Sequence, residues 1–214
     1  MYPKIVVFFI AAFFLGSLPF GLILARLRAG VDLRATGSGN IGATNVARTL
    51  GLTLGLTTLL LDLAKGLAPV LIARFIFGGA ETATGLVPGL AGLAAFLGHV
   101  FSPFLGFKGG KGVSTALGVL LGLTPLAVIP ALLVFVAVVA RWDYVSAGSL
   151  SAALTAPPSA YFIGYPSSSW TLSLVLTALI FVRHHENIGR LIRGEETKWR
   201  KGNSLKRPPQ DIAI

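Results

Sequence analysis

The chain contains long stretches without a single Asp, Glu, Lys or Arg, among them 5–25, 113–140 and 145–182. They are apolar on all sides rather than along one helical stripe, which is the pattern of helices that face lipid. No water is available inside a bilayer to hydrogen-bond the backbone, so such a run folds as a helix that satisfies itself. Only 12% of the residues are charged, against roughly 25% in an ordinary soluble domain. The reading is all-α: a polytopic membrane protein. Its formal charge of +10 does not imply nucleic acid as a partner. Lys and Arg gather instead at segment ends and in the tail, as in cytoplasmic loops beside a lipid bilayer. The lack of cysteine excludes disulfides, thiol nucleophiles and Cys-ligated metals.

A first span covers Ile5 to Leu27 and is expected to kink near Pro19. Its apolar stretch exceeds the roughly 7–15 residues of a signal peptide. A polar segment, Ala29 to Leu50, precedes a second span from about Leu52 to Phe75. Phe77 to Gly85 reads as a short external loop, and Leu86 to Leu105 as the third span. The run from Val113 to Ala140 is either one tilted helix or two short ones parted at Leu123-Thr124-Pro125. One helix would put Arg141 and the basic tail outside, against the positive-inside bias. A break returns both to the cytoplasm. It gives a fourth span at Val113–Leu123, a fifth at Pro125–Ala140, a sixth at Tyr144–Gly164 and a seventh at Trp170–Ile188. Pro166 to Trp170 then forms an interfacial turn. The fourth span is shorter than the roughly 20 residues that cross a bilayer, so neighbours must shield it, as happens near binding sites. Seven spans place the N-terminus outside and the C-terminus in the cytoplasm. Residues 1–198 read as one membrane domain and 199–214 as a disordered basic tail, with no internal repeat.

The densest polar signal inside this apolar frame is Gly98 to Gly118, GHVFSPFLGFKGGKGVSTALG. Lys108 and Lys111 flank Gly109 and Gly110, Gly112 follows, and Ser114 and Thr115 open the next helix. A glycine-rich turn lets the backbone wrap a ligand, its N–H groups form an anion-binding concavity, and the lysines add charge. The free N–H groups of the following helix attract anions too. A solvated cytoplasmic turn is the plainer alternative for the lysines alone. The segment is not a nucleotide P-loop: Leu105 stands where the first glycine is needed, and Lys111 is followed by Gly112 rather than Ser or Thr.

Four further polar clusters fall at the same cytoplasmic depth. Ser38 to Arg48 holds Ser38, Asn40, Thr44 and Asn45, groups that bind polyols and phosphate oxygens, and Arg48 can grip phosphate with both arms of its fork. A helix-capping turn would need only one such residue. Asp62 and Lys65 share one helix face inside a span, as a structural pair or a functional one. Ser146 lies in the fourth cluster, Arg141 to Ser149, and His184, Asn187 and Glu196 in the fifth, where the last span leaves the membrane. His184 could act as a base, orient a phosphate or cap a helix end, and His99 reads as structural. No His-x4-Asp acyltransferase pair occurs, because Phe104, Gly189 and Arg190 occupy the relevant positions. No metal-ligand spacing occurs either. Five segments converging at one depth argue for a single anion site without a protein nucleophile. A carrier for phosphorylated solutes would also need an anion site and broken helices; the lack of repeats and the one-sided polar groups speak against it.

Three of these motifs, Ser38 through Arg48, Gly98 through Ala116 and Arg183 through Leu191, closely resemble the bacterial acyl-phosphate:glycerol-3-phosphate acyltransferase family. The likeness extends to about Lys198. It implies a multi-pass inner-membrane enzyme of seven helices with a cytoplasmic-side active site. Such an enzyme moves a fatty acyl group from acyl phosphate to the 1-hydroxyl of glycerol 3-phosphate, with lysophosphatidic acid and phosphate as products. The resemblance implies no cofactor and no metal, and a monomer is expected. By the same resemblance Ser38, Asn45, Arg48, Lys111, His184 and Asn187 are the core phosphate and glycerol contacts. Lys108, Ser146 and Glu196 support them, and Asn40, Gly109, Gly110, Gly112, Ser114 and Thr115 belong to the substrate-binding loops. The implied mechanism is direct transfer, with a substrate phosphate taking the hydroxyl proton. His185 stands at a position that is often arginine in the family.

Overall fold

Where a long apolar run stops being one helix depends on whether the freed backbone groups find partners. The computed structural model describes residues 2–77 and 85–200, and among them the chain is helix and turn throughout. The first half holds α1 (Tyr2–Ser17), α2 (Phe20–Ala29), α3 (Ala43–Leu50), α4 (Leu52–Ile76) and α5 (Leu86–Val100). The second holds α6 (Val113–Leu123), α7 (Pro125–Trp142), α8 (Val145–Ile163), α9 (Ser167–Arg183) and α10 (His185–Ile192). The loop expected at Phe77–Gly85 lies, apart from its two ends, outside the described residues, as does the tail from residue 201.

The kink expected near Pro19 is a full break between α1 and α2. Proline has no N–H to continue the ladder, and it pushes the preceding residue out of helical geometry. The freed carbonyls are taken from elsewhere: Ser102 Oγ donates to Ser17 O at 2.7 Å, and Lys65 Nζ donates to Leu18 O at 2.7 Å. Pro69, Pro130 and the Pro157-Pro158 pair lie inside continuous helices, which membrane proteins tolerate when neighbours satisfy the backbone. The break at Thr124 falls where the charge argument placed it, with α6 ending at Leu123 and α7 starting at Pro125.

Two helix ends differ from the simplest reading. The third span covers Leu86–Leu105 as expected, but its regular helix α5 ends at Val100, and Pro103–Leu105 forms a separate 3-10 turn behind Ser102. Pro103 is again the cause. The last span was expected at Trp170–Ile188 after an interfacial turn. Instead α9 begins at Ser167, directly after Pro166, and stops at Arg183, while α10 continues as a separate amphipathic helix. Pro166 is an N-cap, so the supposed turn is the helix's first turn.

Between membrane helices there is little hydrophobic drive, and close packing of small residues replaces it. A methyl added at Gly16 would sit 2.0 Å from Ala95 O, and one at Gly98 would sit 2.0 Å from Phe13 O, which joins α1 to α5. Gly66 against Thr115 O and Gly118 against Leu63 O join α4 to the short α6 in the same way, at 2.1 Å and 2.0 Å. The short helix is thus walled in on one side by α4, while α5 covers another. Val70, Phe96, Val119, Leu123 and Leu176 fill the centre where α4, α5, α6 and α9 meet. The outer faces are apolar and open, as with Leu133, 66% exposed on α7, and Phe162, 83% exposed on α8. Among the described residues three segments, Pro3–Ala29, Leu86–Leu105 and Pro125–Trp142, are long and apolar enough to cross a membrane.

Gly118→Val should lower the thermal midpoint of the detergent-solubilised protein by an amount equivalent to about 1–3 kcal/mol of overpacking. Leu133→Ala on the open face should leave it nearly unchanged. Equal midpoints for Gly118→Val and the parent would contradict a backbone-tight contact between α4 and α6.

Candidate active site

The polar segment before α3 is shaped by one side chain. Asn45 Nδ2 donates to Asn40 O at 2.8 Å and Thr36 O at 3.0 Å, while its Oδ1 accepts from Ser38 N–H at 3.0 Å. Asn40 Oδ1 accepts from Gly42 N–H at 2.9 Å. The Asn45 amide is therefore taken up by its own loop, and the residue holds Ser38 in place. Helix α3 buries Val46 and Ala47 against the bundle, which sets Arg48 toward the opening. Arg48 donates to Thr197 O at 3.0 Å, but its Nε is buried and without a partner among the described residues.

The glycine loop is clamped from both sides. Its Gly109 and Gly110 N–H groups donate to Val100 O at 3.0 Å and His99 O at 3.2 Å. Arg183 in turn donates to Gly109 O at 3.1 Å. These two amides are thus unavailable as the anion cradle that the sequence suggested. The amides left open lie one turn along. Among the described residues the N–H groups of Lys111, Gly112, Val113 and Ser114 have no acceptor, and they form the start of α6 with its positive dipole end. Gly112 is required here: its φ is +79°, and a methyl would sit 2.2 Å from the Phe96 ring.

A carboxylate from the C-terminal segment ties the remaining groups together. Glu196 Oε1 accepts from Ser146 Oγ at 2.7 Å and from Asn187 Nδ2 at 2.6 Å, and Oε2 accepts from Arg190 Nε at 2.7 Å. Lys111 Nζ donates to Asn187 Oδ1. Beyond Glu196 the chain docks: Trp199 N–H donates to Asp143 O at 2.8 Å, and the Trp199 ring lies 5.9 Å from the Arg48 guanidinium carbon. Residues 196–200 form a strap beside the opening.

Together these elements enclose a cavity of about 440 Å³. Ser38, Asn40, Asn45 and Arg48 line one wall; Lys111, Gly112 and Ser114 line another; Ser146, His184, Asn187 and Glu196 complete it. Four nominated residues lie elsewhere. Lys108 is exposed on the far side of the turn, Gly109 and Gly110 form its backing, and Thr115 is sealed at the contact of α6 with α4. Their neighbours in sequence reach the cavity because a turn alternates its sides, which spacing alone does not reveal. Arg190, Asp62 and His99 also line the cavity without having been nominated as site residues. Arg190 was accessible to reasoning, since it stands three residues after Asn187 on one helix face. The apolar lining comes from Leu59, Val113, Phe135 and Val145.

The charges are set by burial. Lys111, in the turn before α6, is drawn down to about 8 by desolvation, with Glu196 opposing the change. His184, at the junction of α9 and α10, is drawn down to about 4, again chiefly by burial. Its imidazole is neutral at pH 7, and Nδ1–H donates to Ile180 O at 2.8 Å, which leaves Nε2 as an acceptor. Burial alone would raise Glu196, but hydrogen bonds from Arg190, Ser146 and Asn187 outweigh it and hold the carboxyl below its ordinary value. The result is a partly dry pocket with Arg48, Lys111 and Arg190 as cations, suited to phosphate. Among the described residues no three of His, Cys, Asp and Glu are grouped to hold a metal ion.

The chain is similar to known proteins in both sequence and fold. Residues 6–194 match the family model described as glycerol-3-phosphate acyltransferase. The glycerol-3-phosphate acyltransferase of Geobacter sulfurreducens is 52% identical over 88% of this chain and 94% of its own length. That of Geotalea daltonii is 48% identical over 92% of this chain and 98% of its own. Among solved structures, the fold resembles the crystal structure of PlsY (YgiH), an integral membrane glycerol 3-phosphate acyltransferase, in its glycerol 3-phosphate form. The TM-score is 0.88 at 41% identity, over 95% of this chain and 100% of the other. Its lysophosphatidic acid form superposes with a TM-score of 0.83 at 40% identity, over 91% and 95%.

The titration of Lys111 gives a direct check. A phosphate monoester is a dianion above its second pKa of about 6, and His184 stays neutral, so between pH 7 and pH 9 the changing charge is that of Lys111. Calorimetric affinity for a simple phosphate monoester should fall as pH rises, with a midpoint near 8. Lys111→Met should bind more weakly and lose that dependence. A flat profile in the parent would contradict the assignment.

Proposed function

The chain belongs to the glycerol-3-phosphate acyltransferase family, and from that premise we propose that it moves a fatty acyl group from acyl phosphate to the 1-hydroxyl of sn-glycerol 3-phosphate. Lysophosphatidic acid and inorganic phosphate are the products. The observation that carries this reading is the convergence of Arg48, Lys111 and Arg190 with the free amides of α6 on one cavity. Such a site suits a reaction in which both substrates carry phosphate.

In the transfer, the hydroxyl oxygen attacks the acyl carbon, the bond from that carbon to the phosphate oxygen breaks, and the hydroxyl proton leaves with the phosphate. His184 is poorly placed to take that proton, because its protonated form is disfavoured down to about pH 4. A phosphate dianion, with its second pKa of about 6, is the better base near neutral pH. His184 Nε2 instead accepts a hydrogen bond from the hydroxyl and aims it. Arg48 and Lys111 hold phosphate oxygens, and the amides of Gly112, Val113 and Ser114 face the charge that develops on the acyl oxygen. Leu59, Phe135 and Val145 supply an apolar wall along which the acyl chain leaves toward the bilayer.

The protein is an integral membrane protein. Arg26, Arg28 and Arg34, Arg141, and Arg183 to Arg200 cluster at the cavity end of the bundle, which supports a cytoplasmic cavity in the inner membrane with the N-terminus outside. Reporter fusions after Ile214 and within Pro166–Ser169 should lie on opposite sides of the membrane; both on one side would refute this orientation.

Purified protein given acyl phosphate and glycerol 3-phosphate, without coenzyme A or divalent metal, should form lysophosphatidic acid and phosphate in equal amounts. A charge-assisted hydrogen bond contributes about 1.5–3 kcal/mol, so Lys111→Ala should lower kcat/KM by roughly tenfold to a few hundredfold. Arg48→Lys keeps the charge but loses the planar fork, and should lose most activity while remaining folded. Absence of product from the parent protein would overturn the proposal.

A further inference from the structure

The cavity has a sealed floor, lined by Asp62 and His99 at 2% and 5% exposure, and an opening beside which the strap lies. The strap is held in two unlike ways. Glu196 is a deep anchor: its carboxylate meets Ser146, Asn187 and Arg190, and its side chain is 7% exposed. Beyond it Thr197, Lys198 and Arg200 are exposed, and the chain is fastened mainly by its backbone. Thr197 O accepts from Arg48 Nη2 at 3.0 Å, Trp199 N–H donates to Asp143 O at 2.8 Å, and Arg200 N–H donates to the Asp143 carboxylate at 3.2 Å.

The contact at Arg48 sets the strap against a phosphate. Nε and Nη2 direct N–H bonds along one edge of the guanidinium, the edge that takes two oxygens of a single phosphate. Nη2 is filled by Thr197 O, while Nε is buried with no partner among the described residues. A neutral carbonyl thus brings one oxygen to an edge built for two, and an unsatisfied buried donor on a charged group is costly. A phosphate dianion fills both positions and adds charge, so it displaces the carbonyl. We propose that residues 197–200 are a flap, anchored at Glu196, that closes over Arg48 and is released when phosphate takes the Arg48 edge. The Trp199 ring, 5.9 Å from the guanidinium carbon, leaves with it. The inference rests on the phosphate role given to Arg48 in the acyltransferase reading. It makes the flap a competitor of the anion rather than a support for it. A flap closed for about nine-tenths of the time weakens phosphate binding about tenfold.

Two measurements on the full chain in detergent test this, with inorganic phosphate as the probe. The sequence has no cysteine, so Arg200→Cys, at a side chain 77% exposed, carries a single spin label. Phosphate should sharpen its spectrum to that of a mobile segment, with a half-maximal effect at the calorimetric Kd. Trp199→Ala loosens the flap without changing charge, and should bind phosphate roughly twofold to tenfold more tightly than the parent. A label spectrum unchanged at saturating phosphate overturns the inference, even if Trp199→Ala does not fold. Equal or weaker binding by folded Trp199→Ala also overturns it, by showing that the strap does not compete with the anion. A parent that binds no phosphate at all faults the phosphate reading of the cavity first, and the flap with it.

Discussion

One ammonium group joins three helices where the bundle is driest. Lys65, on α4, takes the end carbonyl of the broken first span, sits against Asp62 one turn back, and through Asp62 neighbours His99 on α5. An unsatisfied carbonyl or a lone charge at that depth costs several kcal/mol, so these groups are held in one arrangement. From there the restraint passes to the glycine loop. The His99 and Val100 carbonyls fix Gly109 and Gly110, and Arg183 fixes the same residues from the other side. Lys111 and the start of α6 are thereby presented to the cavity from a braced turn.

Most of the fold could be read because lipid makes the pattern severe. Apolar runs name most of the helices, and the positive-inside bias decided in favour of the break that Leu123-Thr124-Pro125 offered. The boundaries at Val100 and Arg183 were less legible, since both depend on local proline and capping geometry within a segment that is apolar throughout. The residues that line the cavity were largely visible as polar clusters at one depth. What they do was not. Asn45 and Asn40 look like ligands in the sequence, but the Asn45 amide bonds four backbone groups and Asn40 Oδ1 accepts from Gly42 N–H, so both brace their loop. Lys108 and Lys111 are equivalent by composition, and only the direction of the turn separates an exposed cation from a buried one. Asp62 and His99 were recognised as unusual in the sequence, yet their 3.8 Å approach exists only once α4 and α5 are packed.

The strap from Glu196 to Arg200 shows how a ligand set can be held before a ligand arrives. Glu196 occupies Ser146, Asn187 and Arg190 at once, and Thr197 O occupies Arg48. These contacts keep four polar side chains in chosen rotamers. Substrate phosphate need only exchange for some of them, which lowers the ordering cost of binding.

The broken first span also has a history written into it. Ser17 and Leu18 receive their side-chain partners from residues 102 and 65, which follow them by 85 and 47 positions in the chain. During synthesis, then, Pro3–Ala29 leaves the ribosome as one continuous apolar segment, and its break has no such caps until α4 and the end of α5 have been made. The floor of the cavity consequently cannot close before residue 102 has been made, although it is built in part on residues that come 85 and 47 positions earlier than their partners.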